Sequence, residues 1–557
     1  MILGVQELLQ IDQAFLRRLF ETNPKALLEL SIKLAEDLKE ARERLDQNPS
    51  NSSTPSGNQA PWDKGEKNDE SPLEDDLVAP DNNVTDDTLT DNESAGQKPA
   101  DQADENQAES TNDEPLKRNP GKQLGALGFG RSQKLPVTSI EEHRCTHCSV
   151  CNTNLEDREK PYTGFYTIDI QFGDTNTPGI LLTNTHYIYY SAVCPDCGLE
   201  NRNKPNRAAD DKDDWKDVGL TEWRLIGPSL AALIVYLSNS MRISKRLIQL
   251  YFHEVFGLDL SIGSLQKSLI ESARALAPVE AQIVQSLIEG IDSSFDGHLA
   301  NDVENMPDKK TVLYADETSH PQSGDLYWLW IFMTTTTALY KIGKRSRVIF
   351  DELVGLSGFR GWLMSDGYGV YRNYPYRLRC WAHLIRKAKG LSESYTASVS
   401  RSGKQLLTLM EQMMEAIYQA REGPNEGQQS IKSQHKETLE QLRLLCTVMS
   451  DAPHKKTREL GREFLNDWNA IFRVLEYPAW PLTNNIAERG LRHWVILRRI
   501  TQGTRSRQGS QALAIFASVI TTCRLRNSSP LLYIRDVIVL RRQGKEVPDL
   551  PPVPVKI

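Results

Sequence analysis

Three acidic residues far apart in the chain, Asp316, Asp366 and Glu488, have the type and the setting for metal-dependent phosphodiester chemistry. Asp316 stands in TVLYADET, where the apolar run Val312, Leu313, Tyr314 reads as a buried strand that ends on the acid. Asp366 stands in GWLMSDGYGVY, a second apolar strand that delivers an aspartate and then turns at Gly367. Glu488 stands in PLTNNIAERGLRHWVILRR, where Asn484 or Asn485 can cap a helix whose first turns carry the glutamate. A single aspartate at a strand end is usually a cap or turn residue. Two such aspartates and a helical glutamate can converge on a pair of divalent ions about 3.5–4 Å apart, which clamp the attacking and leaving oxygens of an in-line phosphoryl displacement.

A chain of 557 residues is too long for one ordinary core, so several domains are expected. The formal charge of −8 argues against a polyanion as partner until it is mapped. Residues 61–115 hold 18 Asp and Glu against 3 Lys, a local −15, which leaves +7 for everything else. An acidic tether beside a basic body follows. No apolar run approaches the roughly 18 residues that span a bilayer, and the first residues lack a signal-peptide pattern. No membrane association and a cytoplasmic location are expected.

Residues 1–47 carry Leu27, Leu28, Leu30, Ile32, Leu34 and Leu38 at helical spacing, with Asn23 as cap and Pro24 at the first helical position. They form either an amphipathic helix packed on its own chain or a short coiled coil for self-association. Residues 48–123 are polar, acidic and poor in aromatics, so they read as a disordered linker. From 124 to 215 come the end of a glycine-rich basic strap (Lys122, Arg131, Lys134) and then CTHCSVC and CPDC flanking strand-like TGFYTIDIQF and THYIYYSAV. Cys148, Cys151, Cys194 and Cys197 make two CxxC turns, enough for a closed tetrahedral Zn²⁺ site of a zinc-ribbon-like module, with Cys145 and His143 as spare ligands. The alternative is a set of buried cysteines without metal. Residues 216–295 read as three helices, with Gly257 closing the second and a serine capping the third. That pattern suits a helix-turn-helix-like region offering Ser264, Gln266 and Lys267 to DNA, although any three-helix bundle has it too.

After Asp316 two β-rich segments precede the Asp366 strand, and CWAHLIRKAKG follows as a helix. Several antiparallel strands and then a strand and helix fit an RNase H-like core. The segments YADET, LMSDGYGVY, CWAHLIRK and NNIAERGLR resemble the corresponding motifs of DDE transposases of the insertion-sequence family numbered sixty-six. The strap, the paired CxxC turns, FGLDLSIGSL and the closing helices of GSQALAIFASVITTCRLRNSSPLLYIRDVI resemble that family as well, so the likeness covers most of residues 120–540.

The resemblance implies a multidomain α/β protein whose RNase H-like catalytic domain spans 305–505, with a helical insertion at about 392–470 and a C-terminal helical segment and tail at 506–557. It implies cleavage and strand transfer at the ends of an insertion sequence, with Mg²⁺ (or Mn²⁺) on Asp316, Asp366 and Glu488. His383 then either contacts the scissile phosphate, shuttles a proton, or is a helix-start residue satisfied by backbone. Arg386 and Lys387 are expected near phosphates. Arg489, Arg492, Arg498 and Arg499 lie, with Arg505 and Arg507, in a stretch whose sole acid is Glu488, so a DNA-backbone patch that includes Lys267 is expected. Implied partners are the element's terminal inverted repeats, target DNA, further copies of the chain and accessory proteins of the element. The rival readings are a DNA-binding remnant or repressor without catalysis, and a nuclease that cuts without joining.

Overall fold

The computed structural model describes residues 13–45, 133–173, 176, 178–208, 215, 218–289, 312–352, 359, 361–422 and 431–554. The expected acidic linker, with Lys122 and Arg131 of the strap, lies outside them. The two N-terminal helices are α1 (Gln13–Thr22) and α2 (Pro24–Leu45). Asn23 separates them and accepts the Ala26 N–H at 3.1 Å, which is the capping role its position suggests. Leu28, Ile32 and Leu38 of α2 remain exposed.

The first sheet is built on a long antiparallel hairpin, β2 (Lys160–Phe172) and β3 (Ile180–Val193), paired from Lys160↔Ser191 to Phe172↔Ile180. β1 (Ser139–His143) runs parallel to β3, and β4 (Glu200–Arg202) pairs antiparallel with its end. Alternation in β2 puts Ile168 and Ile170 on the face that joins the main core, while Phe165 is buried on the opposite face against Tyr187 and Trp223. Because the start of β2 pairs with the end of β3, both CxxC turns come to the same end of the hairpin.

Next come α3 (Pro228–Val235), continued by a π-helical turn Tyr236–Ser240, then α4 (Lys245–Phe256) and α5 (Ile262–Glu289). Ser244 caps α4, Gly257 closes it in the left-handed conformation at φ 58°, and Ser261 caps α5 through the Ser264 N–H. The expected exposed row on α5 is only partly there. Lys267 is exposed, but Ser264 bonds to Ser261 and the Gln266 Oε1 is buried. The helix turns Leu265, Leu269, Ala273 and Leu276 inward and draws its neighbours with them. It packs against the C-terminal helices α11 (Arg507–Leu525) and α12 (Pro530–Arg542), where Arg542 meets Glu271 in a buried two-pronged pair at 3.0 and 3.1 Å.

The second sheet has the order β7-β6-β5-β8-β9. β5 (Val312–Gln322), β6 (Asp325–Met333) and β7 (Ala338–Gly343) form an antiparallel meander, while β8 (Trp362–Ser365) and β9 (Arg377–Arg379) add parallel to β5. α6 (Trp381–Ser392) leaves β9 directly. Helices α7 (Ala397–Glu422), α8 (Lys436–Ser450) and α9 (Lys455–Asn466) follow before α10 (Asn485–Thr501) returns to the sheet. Gly490 permits that return. A Cβ there would stand 2.5 Å from Ile331 Cδ1 and 2.9 Å from Met333 Sδ, so any side chain would lift α10 off β6.

Candidate active site and zinc centre

Asp316 is not at the end of its strand. β5 continues to Gln322, and Asp316 pairs with Ile331 of β6 in mid-strand. The expectation failed because two partners end at different points. Pairing with β8 runs Val312↔Trp362, Leu313↔Leu363, Tyr314↔Met364 and stops, whereas pairing with β6 goes on. Asp316 therefore sits just beyond the end of the parallel pairing. The same register carried two residues further sets it level with Asp366, which follows the last residue of β8. Two aspartates thus stand level on neighbouring parallel strands, just past the point where their mutual pairing ends.

Asp366 is held by its own turn. Its Oδ1 accepts the Tyr368 N–H at 2.8 Å, and Gly367 lies where a Cβ would meet Glu463 Oε1 at 2.6 Å and Arg379 Nη2 at 2.7 Å. Glu488 occupies the first turn of α10, after Asn484 at the cap position. The Asn484 side chain makes no helix cap. It donates from Nδ2 to the Ala315 carbonyl at 2.8 Å, and its backbone N–H donates to the Cys380 thiol at 3.2 Å. The start of the glutamate's helix is thereby tied to the residue before Asp316 and to the start of α6.

Burial pushes the Asp316 carboxyl well above the usual carboxylate range, and the negative charges of Asp366, Glu317 and Glu488 add to the push. Glu317, raised by burial and by Asp366, is partly compensated by the Tyr371 hydroxyl at 2.7 Å and the Arg345 guanidinium at 2.7 Å. His383, in the first turn of α6, places Nε2 3.7 Å from Glu488 Oε1. Burial and the nearby Arg386 hold this imidazole below its ordinary pKa, so it is neutral at neutral pH. Ligand atoms of Cys380, His383 and Glu488 all lie within 4.8 Å of one another. The carboxyl groups of Asp316, Asp366 and Glu488 repel one another, Arg386 stands 3.2 Å from Glu488 as a cation at the edge, and hard carboxylate oxygens of this kind suit a divalent cation.

The basic candidates divide into two groups. Arg386 bonds to Glu488 and to the Ala382 carbonyl, Lys387 bonds to Glu463 at 2.8 and 3.0 Å, and Arg498 donates to the Ser319 carbonyl and to Thr318. These three have internal partners. Arg489, Arg492, Arg499 and Lys267 are exposed. Trp494 is buried edge-on against Tyr340.

Several residues escaped the sequence reading. Cys380 was not among the candidate residues, although its CWAH spacing with His383 was visible. Glu463 and Asp467, one helical turn apart, bind the core from the helical stretch. Asp467 pairs with Arg377 at 2.8 Å and with Arg379, while Glu463 pairs with Arg379 at 2.6 Å. The only hint was the pair of arginines in the short apolar strand RLR.

At the other centre the four expected cysteines converge. Sγ–Sγ distances are 3.5 Å for Cys148–Cys197, 3.3 Å for Cys151–Cys194 and 3.6 Å for Cys151–Cys197. A tetrahedron with Zn–S of about 2.3 Å has edges of about 3.8 Å, close to these values. The N–H groups of Cys151 and Val150 pull the Cys148 thiol down to about 6, toward the thiolate a metal needs. The spares are otherwise engaged: Cys145 points at the Tyr190 and Asn201 carbonyls, and His143 stacks on Tyr189 at 4.4 Å. One Zn²⁺ per chain is expected by elemental analysis, and Cys194→Ser should abolish it and loosen the hairpin end. Full zinc retention in that variant would contradict the site.

Residues 297–512 match the family described as Transposase IS66 family. Two proteins of Sinorhizobium fredii (strain NBRC 101917 / NGR234) are similar to the chain. Uncharacterized protein y4qI is 25% identical over 288 residues, 44% of this chain and 52% of that protein. Uncharacterized protein y4hP is 36% identical over 74 residues, 13% of each chain. The chain thus spans about half the length of the first and a smaller share of the second.

Proposed function

We propose that this chain, whose residues 297–512 match the IS66 transposase family, cuts the ends of an insertion sequence and joins them to target DNA. The observation that carries the reading is the level placement of Asp316 and Asp366 on neighbouring parallel strands, with the helix of Glu488 pinned beside them through Asn484. The meander followed by two parallel strands supports an RNase H-like core. The helices between α6 and α10 are then an insertion that braces it.

In this reading Asp316, Asp366 and Glu488 hold the divalent ions. When bound, these activate the attacking oxygen and stabilise the leaving one. The residues of the chain supply the rest. Asn484 and the Asp366 turn fix the carboxylates, and Tyr371 and Arg345 keep Glu317 aside from them. His383, neutral and beside Glu488, is placed to accept a proton from the attacking water or 3′-hydroxyl. Arg489, Arg492, Arg499 and Lys267 offer charge to the DNA backbone, and binding should weaken as salt rises. The zinc centre and the helices around α4 and α5 are assigned to recognition of the ends. Among the described residues no helix is long and apolar enough to cross a membrane, and the proposed place of action is DNA in the bacterial cytoplasm.

Strand transfer tests the reading. The chain with Mg²⁺ and DNA bearing the element's ends should yield joined products. Cutting without joining would favour a nuclease, and binding with neither would favour a remnant or repressor.

A further inference from the structure

The structure assigns to the zinc module a second DNA site, a pocket for an unpaired nucleotide between Trp223 and Tyr162. The inference rests on the reading that this chain acts on DNA, and it concerns a cavity away from the three acids.

Four rings of the module lie in nearly parallel planes. His143 stacks with Tyr187 at 6.0 Å and 19°, Tyr187 with Phe165 at 5.0 Å and 16°, and Phe165 with Trp223 at 5.4 Å and 16°. Phe165 is buried, but Trp223, the last ring of the series, is 48% exposed. A large indole left half in water at the end of a stacked row is a surface that one more flat ring can cover. Tyr162, 38% exposed, forms another wall of the same cavity, and its hydroxyl is fixed on the Asn203 carbonyl. The cavity holds about 650 Å³, within the range of small-molecule sites.

The rim has the charge a nucleotide requires. Lys204 and Arg207 line it, both exposed, and no lining residue is acidic. Arg202 also stands 5.6 Å above the Tyr162 ring, but it is paired with Glu200 at 2.7 Å, so Lys204 and Arg207 carry the rim charge. Glu222 is next to Trp223 in sequence, but its carboxylate accepts the Asn206 N–H at 2.9 Å. The walls are preformed: the Trp223 backbone N–H donates to Thr221 Oγ1 at 3.2 Å, and the backbones of Arg207 and Thr221 pair antiparallel. Aromatic walls with cations at the rim suit a base flanked by phosphates. A paired base keeps both faces covered inside the duplex, so the ligand is a nucleotide that has left the stack.

The test uses the full chain loaded with zinc. Binding of a labelled oligothymidine of about 12 nucleotides and of a duplex of equal length is followed by fluorescence anisotropy for wild type, Trp223→Ala and Lys204→Ala/Arg207→Ala. Trp223→Ala should weaken single-strand binding about tenfold or more and leave duplex binding within twofold, at unchanged zinc content. The double variant should weaken single-strand binding and its salt dependence together. Equal losses for strand and duplex, or no loss, would overturn the pocket. A wild-type measurement guards against a variant that fails to fold. With 5-iodouracil in the oligonucleotide, photocrosslinks should map to Trp223 or Tyr162, and crosslinks found only elsewhere would overturn the site. If wild type binds neither DNA, the reading of the chain as a DNA enzyme fails, and the pocket fails with it. If the duplex alone binds, only the pocket fails.

Discussion

Asp316→Asn is expected to reduce DNA cleavage about 10³-fold or more while making the metal-free protein more stable. Losing one ligand of the ions removes several kcal/mol of transition-state stabilisation, and each 1.4 kcal/mol is about tenfold in rate. The gain in stability has a separate cause. Asp316 is partly buried beside Asp366, Glu317 and Glu488, and its carboxyl is pushed well above the ordinary range by burial and by those charges. Asparagine keeps the acceptor oxygen that receives the Glu317 N–H at 2.9 Å and removes the charge. Functional sites commonly hold such destabilising charge. Thermal melts with and without Mg²⁺ check both halves. The wild type should gain stability from the ion and the variant should not. A variant less stable than wild type without metal would mean that Asp316 serves the fold.

Asp467→Ala should cost about 3–5 kcal/mol, since it leaves Arg377 as an uncompensated buried charge and Arg379 with Glu463 as its one acidic partner. Arg379 is 1% exposed and Asp467 is 2% exposed, so water replaces little of what is lost. The damage should reach the catalytic end as well. Arg379 also pairs with Glu463, and both press on Gly367, the residue after Asp366. Cleavage should therefore fall together with stability. The exposed pair Lys436–Glu440, 3.8 Å apart, is the control, and its removal should change stability by less than about 1 kcal/mol. Chemical denaturation of both variants makes the comparison. Equal, small effects would mean that the α9 network does not brace the core.

What was legible in the sequence was local. The strand before Asp366, the helix of Glu488, the Asn23 cap and the left-handed Gly257 each follow from a few neighbouring residues, and they stand where those residues suggested. Cys148 was correctly preferred over Cys145 as the start of the four-cysteine cluster. The end of β5 was not legible. After Asp316 the chain reads ETSHPQ, polar residues that hide six more residues of strand, because their partner β6 carries the apolar side of the pairing. Asn484 or Asn485 was expected to cap the helix; Asn484 does stand at the cap position, but its side-chain amide is taken by the Ala315 carbonyl, 169 positions away. The partners of Arg377, Arg379, Lys387 and Arg498 are also remote, each at least 76 positions away. A run of arginines in sequence shows charge, and only the fold decides which of them face solvent.

The most direct measurement places the gene, with its native flanks and neighbouring frames, on a donor plasmid and scores excision and insertion for wild type against Asp366→Asn at equal protein levels. The substitution preserves shape and weakens metal binding. The account predicts movement with wild type and none with the variant. Equal movement in both would contradict the assignment of Asp366, and with it the three-acid site.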